Sequence, residues 1–483
     1  MWRRASKVLQ LFWVENTETD MSEKKRETDE SILVSFDAGT VCLTGLAETQ
    51  QLPASLCRDD RTGVHRAPAV DYADIIMWLR TKKIPYRDEA RAYSVRDVVQ
   101  SCTTKPFYYQ SEAIDAWAKN AGRGVVVLPT GSGKTFVAML AMNRYPRSTL
   151  VVAPTLDLVN QWYDQLRARH NSPVGIVGGG YHEPLEITVT TYDSAHIHMD
   201  RLGNRYGLVI FDECHHLPSE SYAWAAQSCL APFRLGLTAT PERSDGGEAR
   251  YAALIGPVVY RRDIDELSGD YLAGYETHRI EVSLTEEERE RYEHERGLYL
   301  AFLRKSGIHM SSPRGWSDFI MKSSRTDEGR RAFTAYRNQK QLALTAQEKI
   351  ATVERLLYAH RNDRTIIFTE DNATVYEISK RFLLPAITHQ SKVKERSAIL
   401  KAFNEGSLNA VVTSKVLNEG VNVPEANVAI ILSGSGSVRE HVQRLGRILR
   451  KREGKHAVLY ELVSAKTSEV NLSARRREHR AYH

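Results

Sequence analysis

Residues 128–135 read LPTGSGKT, with the apolar run GVVVL leading in and FVAMLAM leading out. That pattern predicts a buried strand, a tight loop and a helix. Gly131 and Gly133 let the backbone turn its N–H groups toward phosphates, with Thr130 and Ser132 in the same loop. The N-terminus of the following helix adds positive potential. On this pattern Lys134 reaches the β- and γ-phosphates of a nucleotide and Thr135 places a hydroxyl on Mg²⁺. The strict spacing GxxxxGK[ST] fails at its first position, where Leu128 stands.

Outward from this loop, short apolar runs alternate with helical windows: TLVVAP, ITVTT, YGLVIFDE and RLGLTAT before Tyr260, then TIIFT, NAVVTS, NVAIIL and HAVLYEL after Gln347. Continuous apolar strands separated by helices predict parallel sheets, so the fold class is α/β with two domains of similar size. Residues 105–283 form the first and 345–465 the second. Residues 31–104 mix alternating segments (ILVSF, VCLTGL) with a helical stretch from Tyr72 to Arg80, a small α+β module. Residues 284–344 are polar and helical, opened by a capping box at Thr285 and Glu288. Residues 1–30 are expected to be poorly ordered, and 466–483 form a basic tail carrying Arg475, Arg476 and Arg477.

Asp212 and Glu213 end the run YGLVIF. The C-terminal end of a buried parallel strand is where α/β sheets bind ligands. Asp212 is therefore predicted to hold Mg²⁺ and Glu213 to polarise the attacking water as general base. Cys214, His215 and His216 come next; adjacent side chains point in different directions and lack the usual ligand spacing, so no metal site is expected there. Residues 443–450 read QRLGRILR, with Arg447 and Arg450 on one face if the segment is helical. Their guanidinium groups can stabilise charge on a transferring phosphoryl group if the second domain closes on the first.

Composition excludes other classes. Of 483 residues, 42% are hydrophobic and 26% charged, which rules out a mainly disordered or fibrous chain. No apolar run approaches the ~18 residues of a membrane span. Lys and Arg exceed Asp and Glu by 66 to 60, a net charge of +6 that permits a polyanionic partner without demanding one. Five scattered cysteines with no CxxC pair argue against a disulfide framework and for a reducing cytoplasm. WRRASK then VLQLFWV has the order of a secretion signal, but acidic ENTETD comes next with no small-residue cleavage site. Either Met1 or Met21 serves as the start.

Taken together, LPTGSGKT, VVAPTLDLVNQW, TVTTYDSA, DECHH, LTATPER, TIIFTEDN, VTSKVLNEGVNVPEANVAI and QRLGRILR stand in the order of superfamily two helicase motifs. The DECH form, SGSGSVREHVQRLGRILR and VLYELVS resemble the XPB group, nearest its archaeal type. The resemblance covers most of residues 105–465. It implies two RecA-like domains that clamp ATP, a 3′→5′ ATP-dependent DNA helicase or translocase, and a role in excision-type DNA repair. Gln110 then matches the glutamine that reads adenine, and His215 and Gln443 match positions linking the two domains. Thr238 and Thr240, with Glu419 and Gly420, fall in coupling segments. Pro154, Thr155, Thr191 and Thr413 match segments touching the DNA backbone. The N-terminal module lies where the family carries damage recognition, and the helical insert where it carries a thumb.

Two departures stand out. Arg243-Ser244-Asp245 replaces the family's Arg-Glu-Asp loop, which puts the strength of unwinding in question, and Asn422 stands where an Asp is usual. Arg243 and Asp245 remain candidate DNA contacts. The resemblance also implies a structure-specific nuclease as partner, since no nuclease motif follows Ser464; a monomer is expected. Two other readings stay open: the same ATPase on an RNA track, and a protein that recognises distorted DNA and recruits a nuclease with little unwinding of its own. Aromatic and basic residues of the insert (Tyr292, Tyr299, Phe302, Arg304, Lys305, Arg314, Trp316) either hold DNA or form a small core of their own.

Overall fold

The computed structural model describes residues 31–46, 52–95, 104–170, 172–241, 249–267, 271, 274–312, 314–414, 426–432 and 456–477. They fall into two units, residues 1–266 and 267–483.

The first unit begins with five short strands: Ile32–Asp37 (β1), Thr40–Thr44 (β2), Cys57–Asp59 (β3), Val64–Pro68 (β4) and Tyr86–Asp88 (β5). They lie in the order β3-β4-β2-β1-β5, antiparallel except for the β1/β5 pair. The helix Tyr72–Thr81 (α1) covers this sheet, burying Tyr72, Ile75, Ile76 and Leu79 against Val34, Val41 and Leu43. Hydrogen bonds tie the module to the larger sheet domain of the same unit. Ala92 N donates to Asn204 O (2.9 Å), Asn204 Nδ2 to Ala90 O (3.1 Å) and Ser148 N to Ser94 O (3.1 Å).

That domain is built on an eight-stranded sheet of Arg123–Val127 (β6), Thr149–Ala153 (β7), Val174–Gly178 (β8), Tyr181–His182 (β9), Ile187–Thr191 (β10), Leu208–Asp212 (β11), Phe233–Thr238 (β12) and Val258–Arg261 (β13). Its order is β13-β6-β12-β11-β7-β10-β8-β9, parallel except for the β8/β9 hairpin. β7, β10, β11 and β12 are buried along their whole length; β7 and β11 accordingly read as apolar runs, whereas β10 carries Thr188, Thr190 and Thr191 and β12 carries Arg234. Four helices bear on the site at its carboxyl edge: Tyr108–Lys119 (α2), Lys134–Arg144 (α3), Leu156–Arg169 (α4) and Tyr192–Leu202 (α5).

The second unit carries a six-stranded parallel sheet: Gly274–Val282 (β14), Thr365–Phe368 (β15), Ala386–Ile387 (β16), Ala410–Thr413 (β17), Val428–Ile431 (β18) and His456–Ser464 (β19), in the order β14-β19-β18-β15-β17-β16. Here the expected boundary at residue 283 moves. β14 pairs with β19 over nine residues, Gly274 to Val282 against His456 to Ser464, so it belongs to the second sheet.

The insert consists of Glu286–Lys305 (α6), Gly315–Ser323 (α7) and Asp327–Leu344 (α8). Its capping box is formed: Glu288 N donates to Thr285 Oγ1 (3.3 Å) and Thr285 N to Glu288 Oε2 (3.0 Å). Tyr299, Phe302, Leu303, Ile308 and Phe319 make a core of their own, and Tyr292 is buried lower down, so those rings are not available to bases. Trp316 stays 46% exposed.

The tail also differs from expectation. Glu469–Arg477 (α10) is a helix, and Glu469 is buried against Lys349 of Gln347–Ala359 (α9). Residues 466–474 thus belong to the packed second unit rather than to a solvated extension.

Candidate nucleotide site

The carboxyl edge of the first sheet gathers the loop, the acidic pair and the threonines predicted to act together. β6 ends at Val127 and the chain turns through 128–133 into α3. Gly131 (φ +89°) and Gly133 (φ +83°) take left-handed backbone that side chains disfavour. At Gly133 a Cβ would stand 2.7 Å from Gln110 Nε2, so space as well as conformation demands glycine. α2 braces the loop from behind. Tyr109 Oη donates to Ser132 O (2.8 Å), and Gln110 Nε2 donates to the same carbonyl (3.0 Å). Gln110 Oε1 accepts from Phe107 N (3.0 Å). The Gln110 amide is therefore engaged at both ends with protein, buried under the phosphate loop.

Lys134 opens α3 and is only lightly held: its Nζ lies 3.4 Å from Leu128 O and 3.9 Å from Glu213 Oε1. Two strands over, β11 delivers Asp212 and Glu213. Glu213 sits at φ +45°, a left-handed conformation unusual for a non-glycine residue. That turn carries the chain out of the strand. Asp212 is 7% exposed, and burial first, then the neighbouring Glu213 carboxylate, pushes its pKa up to about 6. Its carboxylate accepts two hydrogen bonds, Trp162 Nε1 to Oδ2 (2.8 Å) and Glu213 N to Oδ1 (3.0 Å).

His215 is buried beside it. Its Nδ1 lies 3.1 Å from Thr238 Oγ1 and 3.5 Å from Glu213 Oε2. Thr238 ends β12; its hydroxyl donates to Thr240 O (3.2 Å) and accepts from Thr240 N (3.1 Å). Leu128 N donates to Thr238 O (3.0 Å), so the LTAT segment and the phosphate loop share one strand pairing. Cys214 faces the opposite way, buried against Gly236, and burial pushes its thiol well above the usual range.

The donor set fits a nucleotide with a hard cation. Thr130 Oγ1 and Thr240 Oγ1 are buried without a hydrogen-bond partner among the described residues. Lys134 Nζ has only long contacts, and Asp212 and Thr135 offer oxygen. Mg²⁺ is typically bound by one or two carboxylates together with substrate phosphates, not by a full protein cage.

Thr155 and Thr191 cap the two neighbouring helices, accepting from Leu158 N (3.3 Å) and Ser194 N (3.1 Å) at the ends of adjacent strands β7 and β10, with Pro154 just before Thr155. In the second unit Thr413 ends β17, buried, its hydroxyl on Ser414 O (3.2 Å).

Residues 34–90 match the Xeroderma pigmentosum group B helicase damage recognition domain. Residues 103–243 match the Type III restriction enzyme res subunit, and residues 328–481 the ERCC3/RAD25/XPB C-terminal helicase. The DNA 3'-5' translocase XPB2 of Sulfurisphaera tokodaii is 43% identical over 370 residues, covering 77% of this chain and 84% of that protein. The chain belongs to the XPB helicase family. Another XPB, the DNA 3'-5' helicase XPB of Mycobacterium tuberculosis, is 31% identical over 383 residues. That match covers 76% of this chain and 62% of that protein, so the chain spans less than two thirds of its length. The crystal structure of the Pyrococcus furiosus Hef helicase domain aligns at a TM-score of 0.49 and 21% identity, covering 76% of this chain and 98% of that one.

Of the positions matched to XPB motifs, Lys134, Asp212, Glu213, His215, Thr238 and Thr240 converge on one sheet edge. Arg243, Asp245, Glu419, Gly420, Gln443, Arg447 and Arg450 lie outside the described residues. Trp162 and Tyr192 stand within the strings VVAPTLDLVNQW and TVTTYDSA but carry no assigned role there. In sequence they are apolar positions on helices, and only their polar tips, which need partners when buried, hint at more. Among the described residues, no helix is long and apolar enough to cross a membrane.

Proposed function

We propose that this chain hydrolyses ATP to move 3′→5′ along DNA, opening it during excision-type repair. The observation that carries this reading is the meeting of Lys134, Asp212, Glu213, His215 and Thr238 on one sheet edge of an XPB-family chain. Lys134 binds the terminal phosphates of the substrate ATP, with the loop residues Thr130, Gly131, Ser132 and Gly133 around them. Bound Mg²⁺, held by Thr135 and Asp212, supplies neutralisation of phosphate charge. Glu213 takes a proton from the water that attacks the γ-phosphorus, and ADP leaves. His215 senses that carboxylate at 3.5 Å and passes its state to Thr238 and Thr240.

Gln443, Arg447 and Arg450 are assigned to the nucleotide from the second domain, with Glu419 and Gly420 in coupling. Gln110 braces the phosphate loop with one N–H and one lone pair of its amide, and the second N–H and second lone pair are assigned to adenine. Pro154 and Thr155, with Arg243 and Asp245, are assigned to the DNA. Thr191 and Thr413 are buried with their hydroxyls engaged at Ser194 and at Ser414 O, so they are assigned to the ends of their strands beside it, not to direct hydroxyl contact. Contact through hydroxyls and backbone groups carries no base sequence. Residues 31–104 are assigned to distorted DNA and 284–344 to a thumb. The protein acts as a monomer in the cytoplasm, with a structure-specific nuclease as partner.

The test is strand displacement on 3′-tailed and 5′-tailed duplexes, alongside ATP turnover with matched DNA and RNA. Displacement from the 3′ tail with stimulation by DNA supports the reading. Stimulation by RNA alone overturns it.

A further inference from the structure

Both helices assigned to the DNA backbone reach Asp212 by buried hydrogen bonds. Thr155 caps α4, and seven residues on, two turns down the same helix, Trp162 donates its indole N–H to Asp212 Oδ2 at 2.8 Å. Thr191 caps α5, and the next residue, Tyr192, donates its hydroxyl to Asp212 O at 2.9 Å. One helix thus holds the carboxylate of Asp212 and the other its main chain. Trp162 is 2% exposed and Tyr192 1%, so water cannot replace either bond. The Tyr192 ring is wedged among Phe211, His216 and Tyr222. In so dense a setting, a small shift of α5 moves the ring with it.

We propose that Trp162 and Tyr192 are positioning residues that carry engagement of DNA at Thr155 and Thr191 to Asp212, coupling the track to the nucleotide within the first unit alone. This rests on the reading that the helix ends at those threonines lie beside DNA and that Asp212 serves the nucleotide. Phosphates drawn to the ends of α4 and α5 fix both helices. The fixed helices hold the Asp212 carboxylate and main chain in one orientation. By linkage, nucleotide bound at Asp212 tightens DNA by the same factor. The LTAT segment is a separate route, because Trp162 and Tyr192 bond to Asp212 whereas the Thr238 hydroxyl bonds to His215 and Thr240.

The experiment compares the full chain with Trp162→Phe and Tyr192→Phe, each of which removes one donor and keeps an aromatic ring. Binding of a fluorescent non-hydrolysable ATP analogue with Mg²⁺ is measured with and without a 3′-tailed DNA. Binding of that DNA is measured with and without the analogue. The ratio in each direction gives the coupling factor, expected at about 5- to 150-fold in the unaltered chain. Each variant should lower it at least about 5-fold, equally in both directions, while analogue binding without Mg²⁺ and DNA binding without nucleotide stay near the unaltered values. DNA stimulation of ATP turnover should fall in parallel. Circular dichroism checks folding, and if one variant fails to fold the other decides. Folded variants with unchanged coupling overturn the inference. So does a loss of metal-free nucleotide binding with coupling intact, which would make the bonds supports of the pocket only. An unaltered chain that binds neither ligand overturns the proposed function instead.

Discussion

Lys349 Nζ stands 2.8 and 2.7 Å from the two carboxylate oxygens of Glu469, and both side chains are sealed from solvent. The same Nζ donates to Leu432 O (2.9 Å), and Glu469 Oε2 accepts from Ser464 N (2.9 Å). The pair thereby ties α9, α10 and the ends of β18 and β19 into one knot. Removing one partner leaves a buried charge uncompensated, which costs about 3–5 kcal/mol. Lys349→Met and Glu469→Gln should each lower the stability of the second unit by that order in urea unfolding. The double change Lys349→Met with Glu469→Leu should cost much less than Lys349→Met and Glu469→Leu measured singly and added together.

Burial of Asp212 has a consequence for pH. Its folded pKa of about 6 lies above the ordinary 3.8, so the folded chain holds that proton more tightly than the unfolded chain. Stability from this group is complete below about 3.8 and is lost as pH rises through about 6. At neutral pH the ionised carboxylate is a cost, one that Mg²⁺ bound as proposed would offset. Asp212→Asn removes that ionisation but turns an NH₂ toward Trp162 Nε1 or Glu213 N, so its metal-free melting temperature should vary less between about pH 5 and 8 than that of the unaltered chain, with ATP turnover eliminated. In the unaltered chain at limiting Mg²⁺, turnover should fall as pH drops through about 6, and more Mg²⁺ should move that fall to lower pH.

Gly133→Ala places a Cβ 2.7 Å from Gln110 Nε2 in a backbone of φ +83°. The Gln110 bond to Ser132 O and the loop shape cannot both survive. Nucleotide affinity, measured by fluorescence titration, should fall by at least about tenfold, equivalent to 1.4 kcal/mol. An affinity within twofold of the unaltered chain would mean that the loop tolerates the shift.

Arg234 is fully buried, yet among the described residues it pairs with no carboxylate at salt-bridge distance. It donates instead to Ala231 O (3.0 Å), Ala226 O and Leu254 O (2.9 Å each), and Cys229 O. Burial first, then Arg123, lowers its pKa to about 9. The guanidinium closes the base of β12, whose other end carries Thr238. Arg234→Met strands four carbonyls and should destabilise the first unit by about 3 kcal/mol or more. Thermal unfolding followed by circular dichroism checks this.

The sheets were legible because parallel strands covered on both faces read as unbroken apolar runs, as in TLVVAP and YGLVIFDE. The site's loop and acidic pair were legible because their chemistry is local in sequence. What escaped is non-local. β14 follows the first sheet in sequence, but its partner β19 lies some 180 residues on. Glu469 looks like an acid in a polar tail until Lys349, 120 residues earlier, is beside it. The insert's aromatics were ambiguous between core and platform, since sparse apolar spacing does not say which faces meet. Trp162 and Tyr192 stand within quoted motif strings, but their bonds to Asp212 were not legible because a helix position does not reveal where its polar tip points.

An ATP-driven DNA motor built on Lys134 at the edge of the first sheet is tested most directly by ATP turnover. The unaltered chain and Lys134→Ala are compared with and without single-stranded DNA. The ammonium is held only by contacts at 3.4 and 3.9 Å, so its loss should leave the fold and melting temperature intact. Turnover stimulated by DNA in the unaltered chain, and reduced by about 10²-fold or more in Lys134→Ala, is the predicted result. Equal turnover in the two chains would contradict it.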